Sequence, residues 1–493
     1  MSYNGVMKKY SIVASSITLG IAVIALVVVF LQPPVDTILS PYLNEPVLPH
    51  TKETSLNKTV YARGIELNNM VVTDTIVLPD QSVISVGQIY TDRQIYAPVL
   101  IKTDLSGGVA WSTFINPVDI DGVTYSSYGT AVNGINHIIY VNEDLIYAIG
   151  TIQASLISTD GEDYPLKGFF RDMTIPIGLD HLNFIVSFSS SFSNLQFHGF
   201  ITPPEEEGTQ YTIIADATLV DFNTMVLTGV TNSHEGFFAD VSSKTPFDFV
   251  IKVNLEDTIT LVDIFTFNSD TYVSPTSVYA LQDGDIIVMG NYQDRSGDFA
   301  DIPLVQSVET AGFVARLDAE TFTLKWVSSN LVNPVADVAV TSFVNALELT
   351  NHHVVTVANV WLANDTYDRR VLISIFDTRG RVVSQRILEL GEKVDAIRLF
   401  KASQGYWLIG TTYVSNNGNL YLAKLNIRFE VERVETIVGS NPDSFVTTPM
   451  VNDDLHFVFL VNTYSKDEDY QDLSYTTEAS NMVFVTVQPL APL

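Results

Sequence analysis

The sequence predicts an all-β chain, a β-propeller of seven four-stranded blades, carried behind one N-terminal transmembrane helix. Three observations predict it. Past residue 60 the chain runs in short alternating stretches of Val, Ile, Thr, Tyr and Phe broken by Gly, Asn, Asp and Pro, with almost no helical periodicity. A short apolar run ending in Gly or an apolar residue recurs seven times. Its average interval of about 62 residues suits one blade with its loops. Finally, residues 10–31 carry no charge, and about 20 apolar residues span the bilayer core.

The elements follow in chain order. Residues 1–9 form a cytoplasmic tail and residues 10–31 a signal-anchor helix. Lys8 and Lys9 precede the apolar segment, and Asp36 is the first acid after it. The positive-inside rule therefore places the tail in the cytoplasm and the remainder outside the cell. A cleaved signal peptide is the alternative, but its apolar region is usually only about 7–15 residues long. Residues 32–59 are rich in Pro and polar residues and read as an extracellular stalk. Residues 60–493 form the propeller.

Composition narrows the partners. Apolar residues make up 46% and charged residues 17% of the 493, enough for a large core. Acids outnumber bases 56 to 26, for a net charge of −30. This excludes nucleic acid and argues against anionic membrane surfaces as partners of the folded part. Without cysteine the chain has no disulfide, thiolate metal site or Cys nucleophile.

The repeated run marks the second strand of each blade. Its copies are Val83–Gly87, Ile146–Gly150, Met225–Gly229, Ile286–Gly290, Val354–Ala358, Tyr406–Gly410 and His456–Leu460. Each follows an inner strand of modest side chains, such as Thr276–Leu281. Most precede a third strand, such as Phe247–Asn254 or Ala311–Asp318. The strands are named A to D from the axis outward. Lys102, Lys252, Arg316 and Lys424 recur on strand C and are expected to pair with neighbouring acids. No D strand follows Met482–Val487, so Val60–Leu67 is expected to complete the last blade and remove the free edge. Six or eight blades and a two-domain β-sandwich are the alternatives.

Phe247–Asn254, Ala311–Asp318 and the turn Lys102–Trp111 resemble the blade pattern of bacterial surface seven-bladed β-propeller repeats, "D-x-F-V-x-K-x-D" followed by "G-x-x-x-W". Asp318–Trp326 also resembles the blade motif of pyrroloquinoline-quinone enzymes, with Ala315, Thr321 and Trp326 in place. Phe322, however, stands where that family has Gly, and the chain has only four Trp. No quinone is expected. Asp318 is expected to cap a turn and Trp326 to pack between blades.

The long insertions fall on the B–C connections, at Thr151–His181, Val230–Pro246, Asn291–Thr310, Trp361–Arg369 and Asn462–Ser480. Long loops on a rigid scaffold carry function, so the B–C face is the expected ligand face. Its candidate residues are Asp160, Asp163, Asp294, Asp298, Asp301, Asp368, Tyr292 and Trp361. Asp337, Asp395 and Asp443 precede A strands and are candidates for the channel mouth. Asp119, Asp121, Asp467 and Asp469 offer closely spaced oxygens for Ca²⁺, though no complete EF-hand loop is present, and a solvated acidic rim is the simpler reading. Without G-x-S-x-G, H-E-x-x-H, P-loop or Rossmann signatures, the expected function is binding, adhesion or assembly with an extracellular protein or glycan. The alternative is a surface hydrolase or lyase acting on glycan through loop carboxylates.

Overall fold

The computed structural model describes residues 57–61, 70–80, 82–90, 96–103, 109–114, 134–152, 164–165, 174–175, 182–201, 211–234, 236–241, 246–271, 273–302, 311–329, 338–362, 365–391, 393–401, 405–414, 417–437, 444–445, 450–453, 456–463 and 481–488. The anchor and nearly all of the stalk fall outside these residues. Among the described residues no helix is long and apolar enough to cross a membrane.

The chain is an all-β propeller with six four-stranded blades, each ordered A-B-C-D by antiparallel pairing. Blade 1 is Met70–Val77, Val83–Tyr90, Tyr96–Thr103 and Val109–Phe114. Blade 2 is Gly134–Asn142, Leu145–Ile152, Leu182–Phe188 and Gln196–Phe200. Blade 3 is Thr212–Leu219, Thr224–Thr231, Phe247–Asn254 and Thr260–Phe265. Blade 4 is Val273–Ala280, Ile286–Tyr292, Ala311–Leu317 and Leu324–Ser329. Blade 5 is Val338–Glu348, Val354–Leu362, Asp365–Phe376 and Val382–Ile387. Blade 6 is Val394–Lys401, Tyr406–Val414, Asn417–Leu425 and Val431–Ile437.

The expectation of seven four-stranded blades is corrected to six. The remaining sheet has five strands, because Ser444–Phe445 and Met450–Asp453 both pair with His456–Thr463. Pro449, just before Met450, has no N–H to give to a ladder. The outer strand of this sheet comes from the other end of the chain. It is Asn57–Tyr61 rather than Val60–Leu67, running antiparallel to Asn481–Gln488 with Asn57 opposite Gln488.

Among the described residues apolar side chains fill the five seams between blades 1 and 6. Val226 and Val250 of blade 3, for example, pack on Val288, Phe313 and Ala315 of blade 4. The same inner feature recurs in all six blades. Strand A carries a one-residue bulge opposite the end of the apolar B run, at Val72/Asp74, Ile135/His137, Ile214/Asp216, Pro275/Ser277, Phe343/Asn345 and Ala396/Arg398. The bulge brings a strand A carbonyl onto the glycine that ends the run. A Cβ on Gly229, Gly290 or Gly410 would collide with the carbonyl oxygen of Ile213, Ser274 or Asp395. Blade 5 has Ala358 there, and its strand A carries a second bulge, at Val340/Ser342.

The described A–B and C–D connections are short and well capped. Asp318 Oδ1 accepts the N–H groups of Glu320 and Thr321 and the Thr321 hydroxyl. Trp326 stacks on Phe376 of blade 5 and donates to the Thr378 carbonyl, so both residues have the structural roles expected. Phe322 sits at φ 51, the left-handed region that favours glycine. That strain, of order 1 kcal/mol, is offset because the ring is buried in the seam with blade 3. Phe429 repeats the device in blade 6, at φ 58 and stacked on Tyr406. Of the strand C cations, Arg316 binds Asp283 and Asp285, Lys102 lies 3.5 Å from Asp80 and Lys424 3.5 Å from Glu432. Lys252 departs from the expectation by donating to the Ala319 carbonyl across the seam.

Candidate functional site

The bulge re-aims the residue that follows it. In the six blades those residues are Asp74, His137, Asp216, Ser277, Asn345 and Arg398, all polar, on the innermost strands. Three of them latch blades in pairs. Asp74 Oδ2 accepts the Ile138 N–H at 3.0 Å, and Asp216 Oδ2 accepts the Val278 N–H at 3.0 Å and the Ser277 hydroxyl at 2.7 Å. Asn345 accepts the Leu399 N–H at 3.0 Å and donates to its carbonyl at 2.8 Å. Blades 1, 3 and 5 thereby grip blades 2, 4 and 6. His137 Nδ1 lies 4.0 Å from Asp216 Oδ1 across the seam between two such pairs. Burial raises the Asp74 pKa, opposed by the Ile138 N–H and by the charges of His137 and Arg398. Sequence reading missed this ring because the inserted residue breaks the alternation that marks a strand.

The B–C and D–A connections share one face. Asp298, in the B–C loop of blade 4, donates its N–H to the Asn268 carbonyl in the preceding D–A connection and accepts the Asn268 N–H. Gly297, at φ 53, leaves no room there for a Cβ. The loop contains a short 3₁₀ helix, Gly297–Phe299, and blade 3 repeats it as Gly236–Phe238. Both lie in a shared "G-x-F-A-D" pattern, Gly236–Asp240 and Gly297–Asp301, whose Phe is fully buried and whose Asp is exposed.

At the same face, between blades 5 and 6, three side chains converge. Arg369 lies opposite Trp361 in the B–C hairpin, with its guanidinium 5.5 Å from the centre of the indole ring. Its Nη1 donates to Asp395 Oδ2 at 2.5 Å. The Arg369 side chain is 37% exposed and that of Asp395 17%, so the cation is held from two sides and still reaches solvent. Beneath it lies Tyr421, whose fully buried hydroxyl has no hydrogen-bond partner among the described residues. Burial, then the charge of Asp395, push its pKa well up.

The expected site residues are distributed as follows. Trp361 and Asp395 come together, joined by Arg369, which the sequence did not single out. Asp395, a candidate for the channel mouth, is paired with Arg369. Tyr292 is corrected from ligand face to core, since it is fully buried and stacked on Phe299 with ring centres 4.8 Å apart. Asp294 accepts the Arg295 N–H, and Asp298 holds Asn268. Asp301 is exposed, and Asp368 falls on the strand Asp365–Phe376. The insertion expected at Trp361–Arg369 is corrected to a hairpin whose strands run to Leu362 and from Asp365. Asp119, Asp121, Asp160, Asp163, Asp337, Asp443, Asp467 and Asp469 lie outside the described residues. Among the described residues no group of three or more His, Asp or Glu is placed to hold a metal ion.

No protein-family model matches the chain, and no curated protein matches it. Solved structures similar to it include Sqt1 from Chaetomium thermophilum, with a TM-score of 0.40 and 12% identity over 83% of this chain and 85% of that one. The AfRom2 CNH domain has a TM-score of 0.40 and 8% identity over 88% and 100% of the two chains. A catalytically inactive virginiamycin B lyase from Staphylococcus aureus, crystallised with quinupristin, has a TM-score of 0.41 and 6% identity over 87% and 99%. Likeness at this level carries no argument about what this chain binds.

Proposed function

We propose that the propeller is a binding module, held outside the cell by its N-terminal segment, that engages an extracellular protein or glycan through its B–C face. The carrying observation is the half-exposed Arg369, fixed by Trp361 and Asp395 at the rim of that face. Trp and Arg dominate binding hot spots, and a side chain already held in place loses less entropy on binding. The course of the first strand supports the orientation. Asn57 lies opposite Gln488, at the end of a C strand, so the first strand begins at the face opposite the B–C loops. A stalk on that side presents the B–C face outward. The glycan-hydrolase alternative gains nothing from Asp294 or Asp298, each of which has an oxygen committed to loop backbone.

The full chain is to be screened against purified extracellular polysaccharides and proteins, with Trp361→Ala and Arg369→Ala in parallel. Each variant is expected to weaken the best ligand by at least about tenfold while keeping the wild-type circular dichroism. A ligand held equally well by both variants would refute this site. The location has its own measurement. Protease added to intact cells is expected to remove the propeller, and a propeller untouched under those conditions would refute the extracellular reading.

A further inference from the structure

The acidity of the chain is not evenly spread. Residues 365–437, in blades 5 and 6, hold 11 of the 26 basic residues but only 9 of the 56 acidic ones, a local balance of +2 in a chain of net −30. Part of this charge gathers at one corner, on the face opposite the B–C loops. Arg379 and Arg381 occupy the C–D turn of blade 5, and Arg428 that of blade 6. The two turns lie on neighbouring blades, and Arg386, further along strand D of blade 5, reaches Glu430 beside the blade 6 turn at 3.3 Å. Arg379 and Arg428 are exposed, and their side chains make no ion pair among the described residues. Arg381 is 73% exposed and is held only by Asp377 of its own turn. Beside these cations stand Ile427, 78% exposed, and Val383, 49% exposed. Arg428 acts on Glu430 only through its charge, and with acids in twofold excess over the whole chain these exposed arginines, Arg379 without an ion pair among them, are not explained by solubility.

We propose that this corner docks an acidic segment of a partner protein, with Arg379, Arg381 and Arg428 facing its carboxylates and Ile427 and Val383 receiving an apolar side chain. The two apolar residues favour a protein over a plain polyanion, since large exposed hydrophobics beside exposed arginines form the mixed surface typical of protein interfaces. The rest of the same face argues against a flat anionic lipid surface. Its turns in blades 2 to 4 expose Asp144, Asp221, Asp257, Asp283 and Glu320, which a plane would have to approach together. A narrow segment meets only the corner, because screening at physiological salt limits the reach of the distant acids to about 8 Å. The surface is separate from the B–C face and does not depend on its ligand.

The test measures binding of a labelled random Glu–Tyr copolymer to the full chain in neutral detergent, beside poly-L-glutamate. The copolymer is expected to bind more tightly than poly-L-glutamate and to weaken as salt rises. R379Q combined with R428Q is expected to lower its affinity about tenfold, and I427S to lower it further. F222S, which removes an exposed side chain on the acidic part of the same face, is expected to change nothing. No binding at low salt would overturn the proposal, as would binding that survives R379Q with R428Q. Displacement of the copolymer by phosphatidylglycerol but not by phosphatidylcholine would overturn it in favour of a lipid surface.

Discussion

Asp248→Asn is expected to stabilise the propeller at pH 8 by up to about 4 kcal/mol and to leave its stability at pH 4 almost unchanged. Asp248 lies at the start of strand C in blade 3, only 8% exposed. One of its oxygens accepts the Val273 N–H at the start of the next blade, and Oδ1 has no partner. Burial raises the pKa to about 7, against the small opposing effect of the Val273 N–H. The folded pKa lies above the ordinary 3.8, so the folded chain binds the proton more tightly than the unfolded chain. The resulting stability is fully present below about pH 4 and is lost as pH rises through about 7.

No charged side chain contributes to this shift. Strands A and B of blade 3 offer no base, and Lys252 lies at the far end of Asp248's own strand. The nearest loops carry His234, Asp270, Asp294, Arg295 and Asp298. Blade 2 shows that an amide fits the position, since Asn183 stands there and donates to the Thr212 carbonyl of blade 3. Thermal midpoints at pH 4 and pH 8 read the effect. His234→Gln is the control, because His234 stacks on Phe247, the neighbour of Asp248, at 5.3 Å. A wild-type to Asp248→Asn difference that is the same at both pH values would refute the assignment.

The strand C position that includes Asp248 also shows what the sequence could and could not disclose. "FDFVIKVN" was legible as a strand because its alternation survives, and Asp248 within it looked like any polar residue on an exposed face. The burial comes from the neighbouring blade, whose first inner residue closes over it, and nothing local in the sequence records that contact. The ligand face fared similarly. Trp361 and Asp395 could each be placed at the rim, one from a loop position and one from its place before an A strand. Arg369, which joins them, was read as the end of an insertion, because "WLANDTYDRR" lacks the alternation of a paired hairpin. Tyr292 misled in the opposite sense, since an aromatic at a loop margin serves equally to seal the core, and Phe299 decides the matter from seven residues away. The count of seven four-stranded blades failed where the inner strand of the last sheet divides, a break marked in the sequence only by Pro449.

Gly229→Ala is expected to cost about 3 kcal/mol or more, or to prevent folding, whereas Ala358→Gly at the equivalent place in blade 5 is expected to cost only about 1 kcal/mol. The repeated glycine was the clearest signal in the sequence, but its cause lies on the partner strand. The bulge at Ile214/Asp216 turns the Ile213 carbonyl toward Gly229, where an added methyl would meet that oxygen and press on the Phe249 ring, 3.0 Å away. Backbone on one side and a fully buried ring on the other leave no soft direction for relief. The bulge cannot simply relax, because it aims Asp216 at Ser277 and Val278 of blade 4. Straightening strand A to admit the methyl would release that latch. Gly229→Ala is therefore expected to weaken the seam between blades 3 and 4 as well as its own blade, and hydrogen exchange should rise at Val278 as well as at Leu227. In blade 5 the fold already holds a Cβ at Ala358, so removing it leaves only a small void and a more flexible residue. Equal costs for the two substitutions, or exchange changes confined to blade 3, would show that the glycine and the axial latch are independent.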